Sequence, residues 1–195
     1  VGSDGDYVLE ARATDKAGNA ASVTGRFAVD ATAPAITLLG VTDGQCTAAD
    51  VTPTYSVTDA HLKTTTATLD GAAFASGATV SAEGTHSLAI DAVDQADNRA
   101  SILARFTVDK TAPALVIVGV ENGQYAASSV TPVIAVTDAN LVSSTILLDG
   151  APFVSGTPVD AEGAHTLSVT AADCAGNRSE ERVSFHVDRT APTIQ

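Results

Sequence analysis

The chain has 195 residues, with 23 Asp and Glu against 10 Lys and Arg, for a net charge of −13. That balance excludes nucleic acid and anionic membrane surfaces as partners, because both are met by Lys and Arg. Hydrophobic residues at 45% exclude wholesale disorder, but aromatics reach only 4% and Trp and Met are absent, so small aliphatic side chains must fill several thin cores.

In chain order, residues 1–33 read as a two-stranded hairpin, followed at 34–112 by seven short candidate strands: 35–39, 51–58, 64–69, 72–75, 78–81, 85–93 and 99–108. Leu88-Ala89-Ile90 and Phe106-Thr107-Val108 alternate with a period of two, as half-buried strands do. Turns are marked by Asp43-Gly44, Asp70-Gly71, Ser76-Gly77, Glu83-Gly84 and the loop Asp94–Asn98. Residues 113–191 repeat the series, and 192–195 begin it again. No stretch carries helical periodicity with caps, and no run of about 18 apolar residues is present to span a bilayer.

The repetition is strict. Asp15, Asp94 and Asp173 open three copies of one loop, each 79 residues after the last, and Ala33-Pro34, Ala112-Pro113 and Ala191-Pro192 keep the same step. So do Val51-Thr52-Pro53 with Val130-Thr131-Pro132, and Leu69-Asp70-Gly71 with Leu148-Asp149-Gly150. A fixed period with no insertion is the signature of an array. The expected organisation is the C-terminal part of a truncated repeat at 1–33, full repeats at 34–112 and 113–191, and the start of another at 192–195. A hairpin has too few strands to cover its own apolar face, so 1–33 points to a longer array. Short strands at regular spacing with Gly-rich turns give an all-β fold, tandem sandwiches of about seven strands each set end-to-end.

The pattern Gly-x-His/Tyr-x-Leu, then Asp-x-Ala-Gly-Asn, then Phe-x-Val-Asp-x-Thr-Ala-Pro resembles bacterial Ig-like repeats, the modules of adhesin stalks and other large secreted proteins. The resemblance covers the whole chain. It implies Ig-like sandwiches in an extracellular or cell-surface protein, with neighbouring repeats, and other copies in a filament, as partners. Asp97 stands where the other two copies have Gly18 and Gly176, and is expected to strain or remodel that turn.

Alternating strands place the Asp59 loop, the Asp94 loop and the linker carrying Asp30 at one pole of the 34–112 repeat. Asp109, Asp138 and Asp173 do the same for 113–191. Three converging carboxylates repel unless neutralised, and Ca²⁺, which takes six to eight oxygens in flexible geometry, is the candidate cofactor at each interdomain junction. The alternative is that each Asp caps its own turn through side-chain to backbone hydrogen bonds. The Asp-x-x-Gly-Asn loop is not an EF-hand, since it lacks alternating oxygen ligands and a terminal Glu.

His86 and His165 lie in phase with core positions, and Tyr7 takes the same place in the first copy. That exchange gives them a packing role like the tyrosine at the corner of Ig-like sandwiches. His61 falls in a polar loop and His186 opposite in phase to Phe185, so both are expected in solvent. Gly-x-Ser-x-Gly, His-Glu-x-x-His and phosphate-loop patterns are all absent, and every notable Asp recurs in each copy, so no enzyme is expected. Cys46 and Cys174 break the repeat: Tyr125, Gln95 and Lys16 hold their counterpart positions. Strand tracing assigns both to loops at one junction. A disulfide between them and two free thiols of small apolar character are the two readings. The function expected is a spacer in a stalk, adhesin or fibre. A protein- or carbohydrate-binding module and an accessory region of a secreted enzyme are the alternatives.

Overall fold

The computed structural model describes residues 2–194. Strands β1 (Gly5–Thr14) and β2 (Ala20–Val29) form a two-stranded antiparallel sheet. Then come β3 (Ala35–Leu39), β4 (Gln45–Thr47), β5 (Thr54–Thr58), β6 (Leu62–Leu69), β7 (Ala72–Ala73), β8 (Gly84–Asp94) and β9 (Arg99–Val108). The same seven recur 79 residues later as β10 (Ala114–Val118), β11 (Gln124–Ala126), β12 (Val133–Thr137), β13 (Leu141–Leu148), β14 (Ala151–Pro152), β15 (Gly163–Asp173) and β16 (Arg178–Val187). No helix occurs among the described residues, and none is long and apolar enough to cross a membrane.

Each series makes two sheets. β3 pairs with β5, and β4-β9-β8-β6-β7 lie side by side; β10 pairs with β12, and β11-β16-β15-β13-β14 lie side by side. This is the all-β, Ig-like sandwich, present twice in sequence. The chain divides into two compact units, one of Val1–Gln45, Val51–Val80 and Thr85–Phe106, the other of Cys46–Asp50, Ser81–Gly84 and Thr107–Gln195.

In the second unit, alternation on the long strands turns Leu167, Val169, Val183, Phe185 and Val187 inward, where they meet Leu115, Ile117, Ile134 and Val136 from β10 and β12. Burying each such aliphatic side chain is worth about 1.5–3 kcal/mol. In the first unit Leu88, Ile90 and Phe106 form the equivalent row, with Phe74, Val51 and Val80. Close approach fixes one glycine in each series. At Gly40 (φ +83°) an added Cβ would stand 2.6 Å from the Thr52 carbonyl oxygen, and Gly119 meets the Thr131 carbonyl in the same way.

Two expectations about strands need correction. The segment 78–81 is not a strand: only Val80 pairs, in an isolated bridge to Val51, just as Val159 bridges Val130. A further strand, β4, lies where a loop was expected, and its copy β11 runs parallel to β16, with Tyr125 opposite His186. Three residues are too few to show a period, and a parallel partner some 60 residues away leaves no local trace.

Candidate metal centres and linker clamps

The long hairpin of each copy ends in the Asp-x-Ala-x-Asn loop, which organises itself. Asp94 Oδ1 accepts the amides of Ala96 (2.8 Å) and Asn98 (2.9 Å), and its Oδ2 accepts the Asn98 carboxamide (2.7 Å). Asp173 binds Asn177 in the same way, at 2.9 and 2.7 Å. Asp15 does so in the first copy, where hydrogen bonds from the Asn19 side chain and amide hold its carboxyl below the usual carboxylate range. Asp97 does not remodel the turn: it keeps the left-handed conformation (φ +65°) that Gly18 and Gly176 adopt, and takes an ion pair from Lys63 (2.7 Å).

The asparagine also reaches outward. Asn98 Nδ2 donates to the Asp30 carbonyl (3.1 Å), and Asn177 Nδ2 to the Asp109 carbonyl (2.8 Å). One side chain thus ties the loop's own Asp to the linker's Asp. The third carboxylates cap the turns after β5 and β12. Asp59 Oδ1 accepts the His61 amide and Asp138 Oδ1 the Asn140 amide, both at 2.7 Å.

The result is two clusters, Asp30 with Asp59 and Asp94, and Asp109 with Asp138 and Asp173. In each, one oxygen from every carboxylate lies within 4.8 Å of the others, close enough to hold a metal ion. Asp94, Asp109 and Asp173 are buried. Capping and convergence therefore coexist: each Asp accepts a hydrogen bond in its own turn, and the caps are what aim the three carboxylates together. Hard oxygen donors of this kind suit a cation such as Ca²⁺. His61, expected in solvent, instead sets Nδ1 3.1 Å from Asp30 Oδ2. Asn140 fills that place in the second cluster, donating to Asp109 Oδ2 at 2.8 Å.

A carboxylate clamp on each linker was missed at the sequence level, where Ala82-Glu83-Gly84 reads only as a turn. Glu83 accepts the Lys110 amide (2.6 Å) and the Thr111 hydroxyl (3.0 Å), and Glu162 accepts the Arg189 amide (3.2 Å) and the Thr190 hydroxyl (3.3 Å). Asp4 takes the role in the first copy. The Thr32 hydroxyl and the Ala31 amide hold its carboxyl below the ordinary range. The available signal was the co-recurrence of an acid and an Asp-x-Thr linker at a constant separation.

His86 and His165 are buried corner residues. Each sets Nδ1 on the aspartate of the preceding turn, Asp70 at 2.8 Å and Asp149 at 2.7 Å. His165 Nε2 meets the Ala161 carbonyl at 2.8 Å. Tyr7 makes the equivalent bond, its hydroxyl donating to the Ser3 carbonyl at 2.7 Å. With acceptors facing both nitrogens, the protonated ring of His165 is favoured. The Asp149 hydrogen bond raises its pKa, against the opposing pull of burial. Cys46, on β4 rather than in a loop, is joined to Cys174 by a disulfide with a Cα separation of 5.8 Å. No free cysteine remains. The bridge links one sequence repeat to the next. His186, expected in solvent, is half-buried and stacks on the exposed Tyr125 at 5.2 Å.

These features define a class, Ig-like β-sandwiches strung in tandem, in which one corner, one capped loop and one clamped linker recur with every copy. Residues 2–31 match the family model of the bacterial Ig-like domain. The motifs of that stretch recur along the chain at the 79-residue step, as in tandem bacterial Ig-like repeats. No curated protein sequence matches the chain. Similar solved structures include the fibronectin(III)-like modules of Clostridium thermocellum CbhA, at 16% identity and TM-score 0.37, covering 83% of this chain and 99% of that one. Drosophila N-cadherin EC1-4 matches at 14% identity and TM-score 0.38, covering 95% of this chain and 58% of that one.

Proposed function

We propose that the chain is a structural spacer from an extracellular bacterial stalk, adhesin or fibre, built of repeats at 34–112 and 113–191 and stiffened where one repeat follows another. The observation that carries this reading is the disulfide between Cys46 and Cys174, 128 residues apart and in successive sequence repeats. A bridge of that span restrains the linkage between repeats, and it belongs to an oxidising exterior. The linker clamps of Asp4, Glu83 and Glu162 act in the same direction. Ca²⁺ held by Asp30, Asp59 and Asp94, and by Asp109, Asp138 and Asp173, completes the stiffening by removing the carboxylate repulsion that would open each cluster.

Small-angle scattering on the chain tests the proposal. Under oxidising conditions with millimolar calcium, the particle has one maximum dimension and a narrow distance distribution. Reductant and chelator together broaden that distribution. An identical profile in all four combinations of reductant and chelator sinks the stiffened-spacer reading. The binding-module reading has one observation in its favour, the stacked Tyr125–His186 pair with Tyr125 80% exposed.

A further inference from the structure

The two-stranded sheets β3–β5 and β10–β12 share one plan and differ on their outer faces. On β3–β5 that face carries Thr37 opposite Ser56 and Leu39 opposite Thr54. On β10–β12 the same places hold Val116 opposite Ala135 and Val118 opposite Val133. Val116 and Val118 are each 52% exposed and Val133 is 46% exposed. One edge of the second sheet is closed by its own chain. Ser155 Oγ accepts the Ile134 amide (2.8 Å), the Gly156 amide donates to the Pro132 carbonyl (2.8 Å), and Val159 bridges Val130. The other edge is β10, which pairs only with β12; among the described residues no strand covers its far side. Leu115 and Ile117, on its inner face, pack on the core yet stay only partly buried.

We propose that β10 is a self-association edge, pairing antiparallel with β10 of a second copy of this chain. An open edge presents unpaired amides and carbonyls, and another extended strand is what meets them. The strand Ala114-Leu115-Val116-Ile117-Val118 is complementary to itself. With a two-fold axis at Val116, Ala114 opposes Val118 of the second copy and Leu115 opposes Ile117, so inner residues meet inner and outer meet outer. A slip of one residue would set Leu115 and Ile117 against the outer row. Charge selects the same strip. A chain of net charge −13 repels its copies wherever acids face each other. No charged residue lies between Lys110 and Glu121, or between Glu121 and Asp138. The strand also lacks the Lys, inward charge or bulge that keeps edge strands apart. Pro113 before it and Gly119 (φ +84°) after it limit the seam to five residues, and an isologous pair closes on itself as a dimer. On β3 the axis would fall at Thr37, with Ser56 and Thr54 beside it, a hydrated face with less to gain from cover. The pairing stands apart from the spacer role and does not require it.

Sedimentation of the 195-residue chain at concentrations up to about 1 mM tests the pairing, since a five-residue seam makes a small, weak interface. The mass should rise from one chain toward two with concentration. Hydrogen exchange of amides 114–118 should slow on the order of 10-fold over the same range. Val116→Lys and Val118→Lys, each on the exposed outer face, should keep the circular dichroism of the parent and abolish both changes. Thr37→Lys should abolish neither. A single-chain mass at every concentration would overturn the proposal; if an added apolar peptide then slows exchange at 114–118, a foreign strand is the occupant. A dimer that survives both lysine variants of β10 would overturn it as well, and would place the contact elsewhere.

Discussion

The two acidic clusters are built from the same turns and hold their charge differently. Around Asp109, Asp138 and Asp173 the neighbouring donor is the carboxamide of Asn140, which cannot become cationic, and the adjacent Cys174 is locked to Cys46. Around Asp30, Asp59 and Asp94 the donor is the imidazole of His61, and Gln95 stands where Cys174 does. Convergence of the carboxylates is thus a property of the repeat, imposed by caps within each turn, whereas the donor beside it differs from copy to copy. The second cluster has a disulfide beside it and a carboxamide donor, where the first has an imidazole and no bridge.

The disulfide is the largest difference between the two regions. Cys46→Ser with Cys174→Ser should lower the stability of the second unit by about 2–4 kcal/mol, the usual range for a native bridge. Unfolding of the first unit should stay within error. Non-reducing peptide mapping should first recover the Cys46 and Cys174 peptides as one species, and free alkylation of both thiols would remove the basis of the comparison.

Calcium comes next. A ligand that binds only the folded state stabilises by about 2.7 kcal/mol at a concentration 100 times its Kd. Melting with and without chelator should show a gain of that order. Asp138→Asn should remove more of it than Asp59→Asn, since each keeps the Oδ1 that caps its turn while His61 is present in the first cluster only. Equal losses would mean that His61 and Asn140 are interchangeable.

His165 gives a pH signature that the Tyr7 corner lacks. Its pKa is raised above 6.5, first by the hydrogen bond to Asp149. Its contribution to stability is therefore complete below pH 6.5 and lost as pH rises through the higher folded value. Asp149 works the other way. Burial would raise it, but the His165 and Thr166 hydrogen bonds hold it below 3.8, so its contribution is lost as pH falls into that range. Urea unfolding of the second unit should weaken from pH 6 to pH 8. His165→Tyr, which restores the Tyr7 solution, should flatten that slope. An unchanged slope would show that the corner stays neutral.

Much of this was legible because the repeat reports each decision more than once. The 79-residue step located strands, turns and corner residues, since Tyr7, His86 and His165 can exchange only if a ring with one polar end is needed there. Strand parity was enough to bring Asp30, Asp59 and Asp94 to one pole. What escaped was non-local or too short. β4 has no period to detect and pairs across the chain. Val80 alternates like a strand residue yet makes a single bridge, because the neighbouring turn at Gly77 draws the backbone to Pro53 through a 2.9 Å hydrogen bond. The His61–Asp30 contact joins residues 31 apart through side-chain reach alone. The Glu83 clamp hid behind a turn signal, since Glu-Gly explains a bend without requiring the carboxylate to hold anything.

The smallest expected effect is at Asp97, where the first cluster's loop departs from the other copies. A non-glycine residue at φ +65° is strained, although Asp tolerates the left-handed region better than most. Relieving it with Asp97→Gly should stabilise the loop slightly. The same change removes the Lys63 ion pair, in which both side chains are at least half exposed, and exposed pairs contribute little because solvent screens them. The two effects oppose each other, so Asp97→Gly alone should move the urea midpoint little. Lys63→Ala separates them: in that background only the strain remains, and Asp97→Gly should become clearly stabilising. A destabilising Asp97→Gly in both backgrounds would mean that Asp97 does more for its turn than accept Lys63, and that the loop of the first cluster is specialised rather than merely tolerated.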